Sequence, residues 1–398
     1  MFITSTPPGA DVLLDGESKG LTPLTIRELE PGEYEVVLRK GGYQAAQIIA
    51  TVKMRQITNV AAALRDERKP ITHRLAFVSN RDDGFDIWTS DENGYGLARW
   101  TTARWPRSPI HALLAPDSSS FSLNFESVKG VATVLVTAPR PNGDNPAPEL
   151  RAVGGDIFRA LQWAPDGRSL LLKNLISQTI WVANSLGNVT PVLIPDAPHG
   201  VLTATFAPEP GFIAYADYDQ TYRIALDGTR REELAANGKE GNAFLRFSRD
   251  GRRLAHVQLQ RLNPYNAGEL WLMNANGNLP RRLTIGGSQD FDPVWSRDNQ
   301  RIVFVHRENV DDAQADLEPA RLESNLFVFD FATQQIRALT NFRNKRVRQP
   351  SISFDDQRIT FVCNETGSDE IWVVDFYGGD PYPLTHDNAT ATFPLWLW

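Results

Sequence analysis

The stretch WAPDGRSLLL, Trp163–Leu172, decides the fold. It joins an apolar anchor, a Pro-Asp-Gly turn and a β-rich run within ten residues. In such a turn Pro suits the first central position, Asp bonds nearby backbone, and Gly accepts a left-handed conformation. Versions return along the chain as LLAPDSSSF (Leu113–Phe121), FAPEPGFI (Phe206–Ile213), FSRDGRRL (Phe247–Leu254), WSRDNQRI (Trp295–Ile302) and ISFDDQRI (Ile352–Ile359). In every copy the two anchors stand seven positions apart, as Trp163 to Leu170 and Ile352 to Ile359.

Each copy leads into a second strand such as RIVFV or RITFV, then a third: DIWTSD, TIWVAN, ELWLMN, NLFVFD or EIWVVD. A turn and a fourth strand follow, as in RRLT, IRALT or YPLT. Runs of Val, Ile, Phe, Trp and Thr broken by Gly, Asp and Asn read as strands and tight turns. Four strands in a repeat of roughly 40–50 residues is a β-propeller blade. Six copies carry the turn. A seventh, RLAFVSNRDDGFDIWTSD, lacks its first strand, and the chain's last residues, TFPLWLW, resemble the missing piece. Pro394-Leu395-Trp396 matches Pro293-Val294-Trp295. The expected fold is all-β with a seven-bladed propeller over 74–398, closed by the C-terminal strand; six blades is the alternative. The copies at 113–153 and 206–235 read as the least regular.

Asp117, Asp166, Asp250, Asp298 and Asp355, with Glu209 once, recur because the turn recurs. A catalytic residue needs no copy in each repeat, so these read as turn residues. Trp88, Trp181, Trp271 and Trp372, with Phe327, read as packing between blades.

The repeats FVSNRDDGFDIWTSDENGYG and PVWSRDNQRIVFV…LFVFDFATQQIRALT resemble the WD40-like repeats of TolB-type propellers, over residues 74–398. The first sixty-five residues differ. Val12 and Leu14 alternate with polar neighbours before Asp15-Gly16, and Tyr34, Val36 and Leu38 alternate before Gly41-Gly42. That is a small antiparallel β unit, expected to be sandwich-like. It resembles a PEGA domain in Pro8-Gly9-Ala10, Val12, Asp15-Gly16, Gly20, Thr22-Pro23, Pro31-Gly32, Tyr34 and Gly42-Tyr43, with Pro8 where the namesake motif has Glu. The expected organisation is 1–65, a linker at 66–73 that takes in most of RDERKP (65–70), and the propeller at 74–398. The resemblance implies a place at the outside of a bacterial envelope, periplasmic or at the cell surface.

Composition narrows function. With 398 residues, 41% apolar content and 22% charge, the chain is globular; its net charge of −7 argues against a nucleic-acid partner. Cys363 is the single cysteine, which excludes an internal disulfide and a multi-cysteine zinc site. No stretch is long enough to span a bilayer. The opening MFITSTPPGADVLL lacks a basic n-region and an apolar h-region, so no signal peptide is predicted in it, and membrane attachment would need an upstream anchor.

Binding is expected on long loops of a rigid scaffold. QRLNPYNAG (260–268), RENVDDAQADLEPARLESN (307–325) and NFRNKRVRQ (341–349) are the informative ones. The second is acidic through Asp311, Asp312, Asp316 and Glu318. The third carries Arg343, Lys345, Arg346 and Arg348. The plain reading is that these charges pair or stay solvated. The sharper one is a site where clustered Arg holds a carboxylate in two-point contact. By alignment, His111, Arg159, Thr203, Phe244, Asp292, Gln349 and Phe393 enter the innermost strands and ring the channel mouth. The candidate binding residues are therefore His111, Arg159, Asp292, Arg343, Arg346, Arg348 and Gln349.

No G-x-S-x-G elbow and no H-E-x-x-H is present, and the six histidines lack ligand spacing. RDDGFD (81–86) and DENGYG (91–96) sit at repeat turns and lack full calcium-ligand spacing. The expectation is a non-catalytic binding protein with no cofactor and no metal, docking an envelope protein or, as the other class, a polysaccharide. The alternative is a propeller enzyme, a metal-assisted lyase or glycosidase, acting on saccharide or peptide in the central channel.

Overall fold

The computed structural model describes the chain apart from residues 65–72, 139–146, 195–199, 219, 237–240, 260–267, 285–288, 308–322, 378, 388 and 398. Every regular element among the described residues is a β-strand. The RDERKP segment, the loop 260–267 and the acidic run of Asp311, Asp312, Asp316 and Glu318 lie outside the described residues. The chain divides into two compact units: Met1–Pro106 with Gln357–Leu397, and Arg107–Asp356.

The first unit opens with a two-sheet sandwich. One sheet runs Glu17–Leu21, Asp11–Leu14, Gly32–Arg39, Ala46–Val52; the other runs Leu24–Thr25, Phe2–Thr6, Asn59–Ala63. Alternation does what it predicts: Val12, Leu14, Val36, Leu38, Ile48 and Ala50 point inward onto Ile3, Val60 and Ala62. Asp15 turns the chain with positive φ, and its carboxylate accepts the Glu35 N–H at 2.8 Å. The unit is not wholly antiparallel. Phe2–Thr6 and Asn59–Ala63 pair in parallel, which the long excursion between them allows and a hairpin would not.

In the same unit, Ala98–Arg99, Asp86–Asp91, Arg74–Ser79 and Ala391–Leu397 form one antiparallel sheet. The C-terminal strand is thus the missing first strand: Trp396 lies opposite Leu75 and Leu395 opposite Ala76. The pairing covers what would otherwise be an open edge on Arg74–Ser79. Arg358–Cys363, Glu370–Asp375 and Tyr382–Pro383 form a further antiparallel group. Tyr95, in the turn after Asp86–Asp91, packs on the sandwich core, and its hydroxyl donates to Gln44 O at 3.2 Å.

The second unit repeats one order, first strand to fourth, in successive antiparallel groups. They are His111–Leu114 to Leu150–Val153, Phe158–Trp163 to Val189–Pro191, Thr203–Phe206 to Glu232–Ala236, Asn242–Phe247 to Arg281–Arg282, and Gln289–Trp295 to Gln335–Ala338. The strand Val347–Ile352 follows. The groups expected to be least regular carry all four strands. In the first, a buried polar knot compensates. Asn124 accepts the Ala160 N–H at 3.0 Å and donates to Ala160 O at 3.1 Å, while Thr133 donates to Asn124 and to Phe158 O.

The recurring residues are structural. The carboxylates of Asp117, Asp166, Asp250 and Asp298 each accept the backbone N–H two residues on, at 2.8–3.1 Å. Asp355 accepts the Ser353 hydroxyl at 2.6 Å. In four groups a Thr just past the fourth strand caps the third. Thr101, Thr284, Thr340 and Thr385 accept the N–H of Ile87, Leu270, Leu326 and Ile371 at 2.8–3.0 Å. Trp88 and Trp372 are buried, Trp181 packs on the Phe158–Trp163 cluster, and Phe327 on the Trp295 cluster. Trp271 is half-buried and stacks on His256. Gly277, with φ of +84°, lies against the carbonyl of Leu234 on the preceding sheet, so closely that a Cβ would stand 1.8 Å from that oxygen.

Candidate functional site

In the second unit each innermost strand packs against the next in chain order, from His111–Leu114 through Val347–Ile352. These strands do not run straight. The register shifts by one residue between Ala160 and Gln162, between Ala243 and Arg246, and between Phe291 and Val294. Such bulges re-aim side chains. Phe244, Asp292 and Gln349 take positive φ at equivalent points, 50°, 51° and 56°. For residues other than Gly this backbone is disfavoured, and a bulged ladder is what holds it there.

The bulges bring charge together. Arg159 stands directly opposite Lys173 on the neighbouring strand. The Lys173 ammonium donates to Leu202 O at 3.2 Å. Burial, with Arg159 beside it, pushes Lys173 down to about 8. Burial and the Arg159 and Arg246 guanidiniums push His111 down to about 3, so its imidazole is neutral at pH 7. Burial lowers Arg159 and Arg246 as well, and Asp292 opposes that in both. Burial raises Asp292, against the pull of Arg246, a hydrogen bond from the Gln349 N–H, and the charges of Arg348 and Arg307. Arg159 keeps an exposed side chain although protein surrounds it.

Of the expected residues, His111, Arg159, Asp292, Arg348 and Gln349 converge here. Arg159 stands one place ahead of the aligned position, which Ala160 holds. Arg343 is exposed and Arg346 half-buried in the approach to Val347–Ile352. That approach is stitched to the end of the acidic insertion: Asn344 N–H donates to Glu323 at 2.6 Å, and Ser324 exchanges hydrogen bonds with Val347. Thr203 lies on its innermost strand; Phe244 packs on the neighbouring core cluster. Phe393 belongs to the other unit, where it takes the same bulge with φ of 54°.

Sequence reading missed Lys173, Arg246 and Arg307. A straight hairpin continuing the Trp163–Leu170 register would put Lys173 opposite Ala160. Only the bulge turns it to face Arg159. No group of three or more potential metal ligands occurs among the described residues.

Residues 1–68 match the PEGA domain model. Among the curated proteins none matches the chain in sequence. Solved structures of similar fold include TolB from Acinetobacter baumannii, at 14% identity over 93% of this chain and 81% of that one, with a TM-score of 0.48. An oligogalacturonate lyase from Vibrio parahaemolyticus is similar at 10% identity over 76% and 86%, with a TM-score of 0.51. A protein from Lactobacillus plantarum is similar at 12% identity over 82% and 99%, with a TM-score of 0.53. The chain carries a PEGA domain over residues 1–68, followed by an all-β array of successive four-stranded antiparallel groups of the propeller type.

Proposed function

We propose that this chain is a non-catalytic binding protein of the bacterial cell envelope that docks a protein partner on its propeller face. The domain division is 1–65, 66–73 and 74–398. One observation supports the reading most. The residues that recur with chemical capacity, the turn Asp and the capping Thr, are engaged in turns and strand ends. What varies between repeats is the charge carried by innermost strands and loops, and variable groups on a rigid frame suit recognition. The PEGA match supports an extracytoplasmic place. Among the described residues no helix is long and apolar enough to cross a membrane. Pull-down from native envelope extract tests this by comparing the wild type with the triple variant Arg343→Glu, Arg346→Glu, Arg348→Glu. A protein retained by the wild type and lost from the variant is the expected result. Equal retention by both counts against this face.

Asp292 favours a second reading. A carboxyl raised by burial among guanidiniums suits a general acid, as in a lyase or glycosidase acting on saccharide. The lyase of similar fold keeps that class open for testing. Turnover of an acidic oligosaccharide, abolished by Asp292→Asn, would establish it and displace the binding reading.

A further inference from the structure

We propose that the inner-strand cations of Arg107–Asp356 form a site for a small hydroxycarboxylate anion, with Arg159, Lys173 and Arg246 taking its carboxylates and Asp292 its hydroxyl. The inference goes beyond the docking reading and does not depend on it, because Arg343, Arg346 and Arg348 take no part.

Four observations converge. First, Arg159 and Lys173 face each other directly across an antiparallel pair. Like charges in that relation destabilise a sheet. Among the described residues no carboxylate lies within ion-pair distance of either one. The Leu202 carbonyl on Lys173 and the charge of Asp292 near Arg159 offset that repulsion only in part, and an anion between the two cations would complete the offset. Second, Arg159 and Asp292 act on each other although the strands Thr203–Phe206 and Asn242–Phe247 lie between theirs. His111 and Arg246 do so across a similar gap. Side chains on inner strands that are not neighbours come within range of each other only if they project to the same side of those strands, into a shared space. Third, that space is reachable, since the Arg159 side chain is exposed within it.

Fourth, the balance of groups selects the ligand. Arg159, Lys173 and Arg246 outnumber the carboxylate of Asp292 among these described residues, and low-dielectric walls focus such a field on an incoming anion. The planar guanidinium fork matches the two oxygens of a carboxylate. In its ionised form Asp292 is an acceptor among donors, so it takes an O–H and repels an oxygen that can only accept. A ligand carrying both carboxylate and hydroxyl satisfies both halves, whereas a phosphate sets more charge against Asp292.

The experiment uses the full chain at constant ionic strength, with calorimetric titration and thermal melting. The probes are citrate, tricarballylate (citrate without its hydroxyl) and inorganic phosphate. Citrate is expected to bind saturably and raise Tm, because a ligand of the folded state stabilises it. Tricarballylate and phosphate should each bind about tenfold more weakly. The double variant Arg159→Gln, Lys173→Gln should lose citrate affinity by about tenfold or more. Without ligand it should melt about 1–3 °C above the wild type, because a repulsion is removed. Lys173→Gln alone serves if the double variant does not fold, and Arg343→Gln should bind citrate as the wild type does. Absence of saturable citrate binding, or equal binding by the Lys173 variants, overturns the site. Phosphate bound as tightly as citrate overturns the carboxylate assignment, and equal affinity for citrate and tricarballylate overturns the role of Asp292.

Discussion

Glu370 opens the third strand of its group, where Asp86 stands in another, and is 2% exposed. Burial pushes its carboxyl up to about 7 against a hydrogen bond from the Thr366 hydroxyl at 2.6 Å, and Asp387 adds repulsion. The folded state thus holds a proton that the unfolded chain releases at ordinary carboxylate pH. Stability falls as pH rises from about 4.5 to about 7, by about 3 kcal/mol in all. His256, 4% exposed against Trp271, behaves oppositely. Burial pushes it down to about 4, so its contribution is present above about 6.5 and is lost as pH falls toward 4. Glu370→Gln should therefore stabilise the protein more at pH 8 than at pH 4.5, by about 3 kcal/mol in denaturant melts. An equal effect at both pH values would mean that Glu370 is ionised in the fold. The turn Asp residues were legible at this scale because their bonds close within two residues. The titration of Glu370 and His256 was not, because burial is set by strands far away in sequence.

Among elements, the turn after the third strand shows how successive sheets meet. Gly277 packs on the Leu234 carbonyl and Gly228 on that of Leu193, both with positive φ. Gly277→Ala must move backbone and adopt a disfavoured φ, and should cost about 2–4 kcal/mol in equilibrium unfolding. A loss below about 0.5 kcal/mol would mean that this contact opens freely. The sequence shows a Gly there and implies a turn; the approaching carbonyl comes from another repeat and leaves no trace in the turn itself. The bulges are a parallel case. Phe244 and Gln349 carry no sign of left-handed backbone in their residue types, unlike Asp292, whose short polar side chain tolerates it. The ladder on either side imposes it, and the separate bulge between Ala160 and Gln162 sets Lys173 opposite Arg159.

Over the whole chain, Ala391–Leu397 completes the sheet begun by Arg74–Ser79, some three hundred residues earlier. Removing residues 391–397 should leave that strand as an unpaired apolar edge, and light scattering should show association that the intact chain lacks. A truncated chain that stays monodisperse would mean the edge is covered otherwise. This pairing was readable because Pro394-Leu395-Trp396 repeats Pro293-Val294-Trp295. The same is true of the four-strand repeat, the turn Asp and the sandwich core, each written in local periodicity and turn chemistry. The parallel pair Phe2–Thr6 with Asn59–Ala63, the meeting of Arg159, Lys173, Arg246 and Asp292, and the shifts at His111 and Glu370 belong to tertiary structure alone. They depend on which strands become neighbours and on one-residue bulges, and a one-residue change reverses the face of every side chain beyond it.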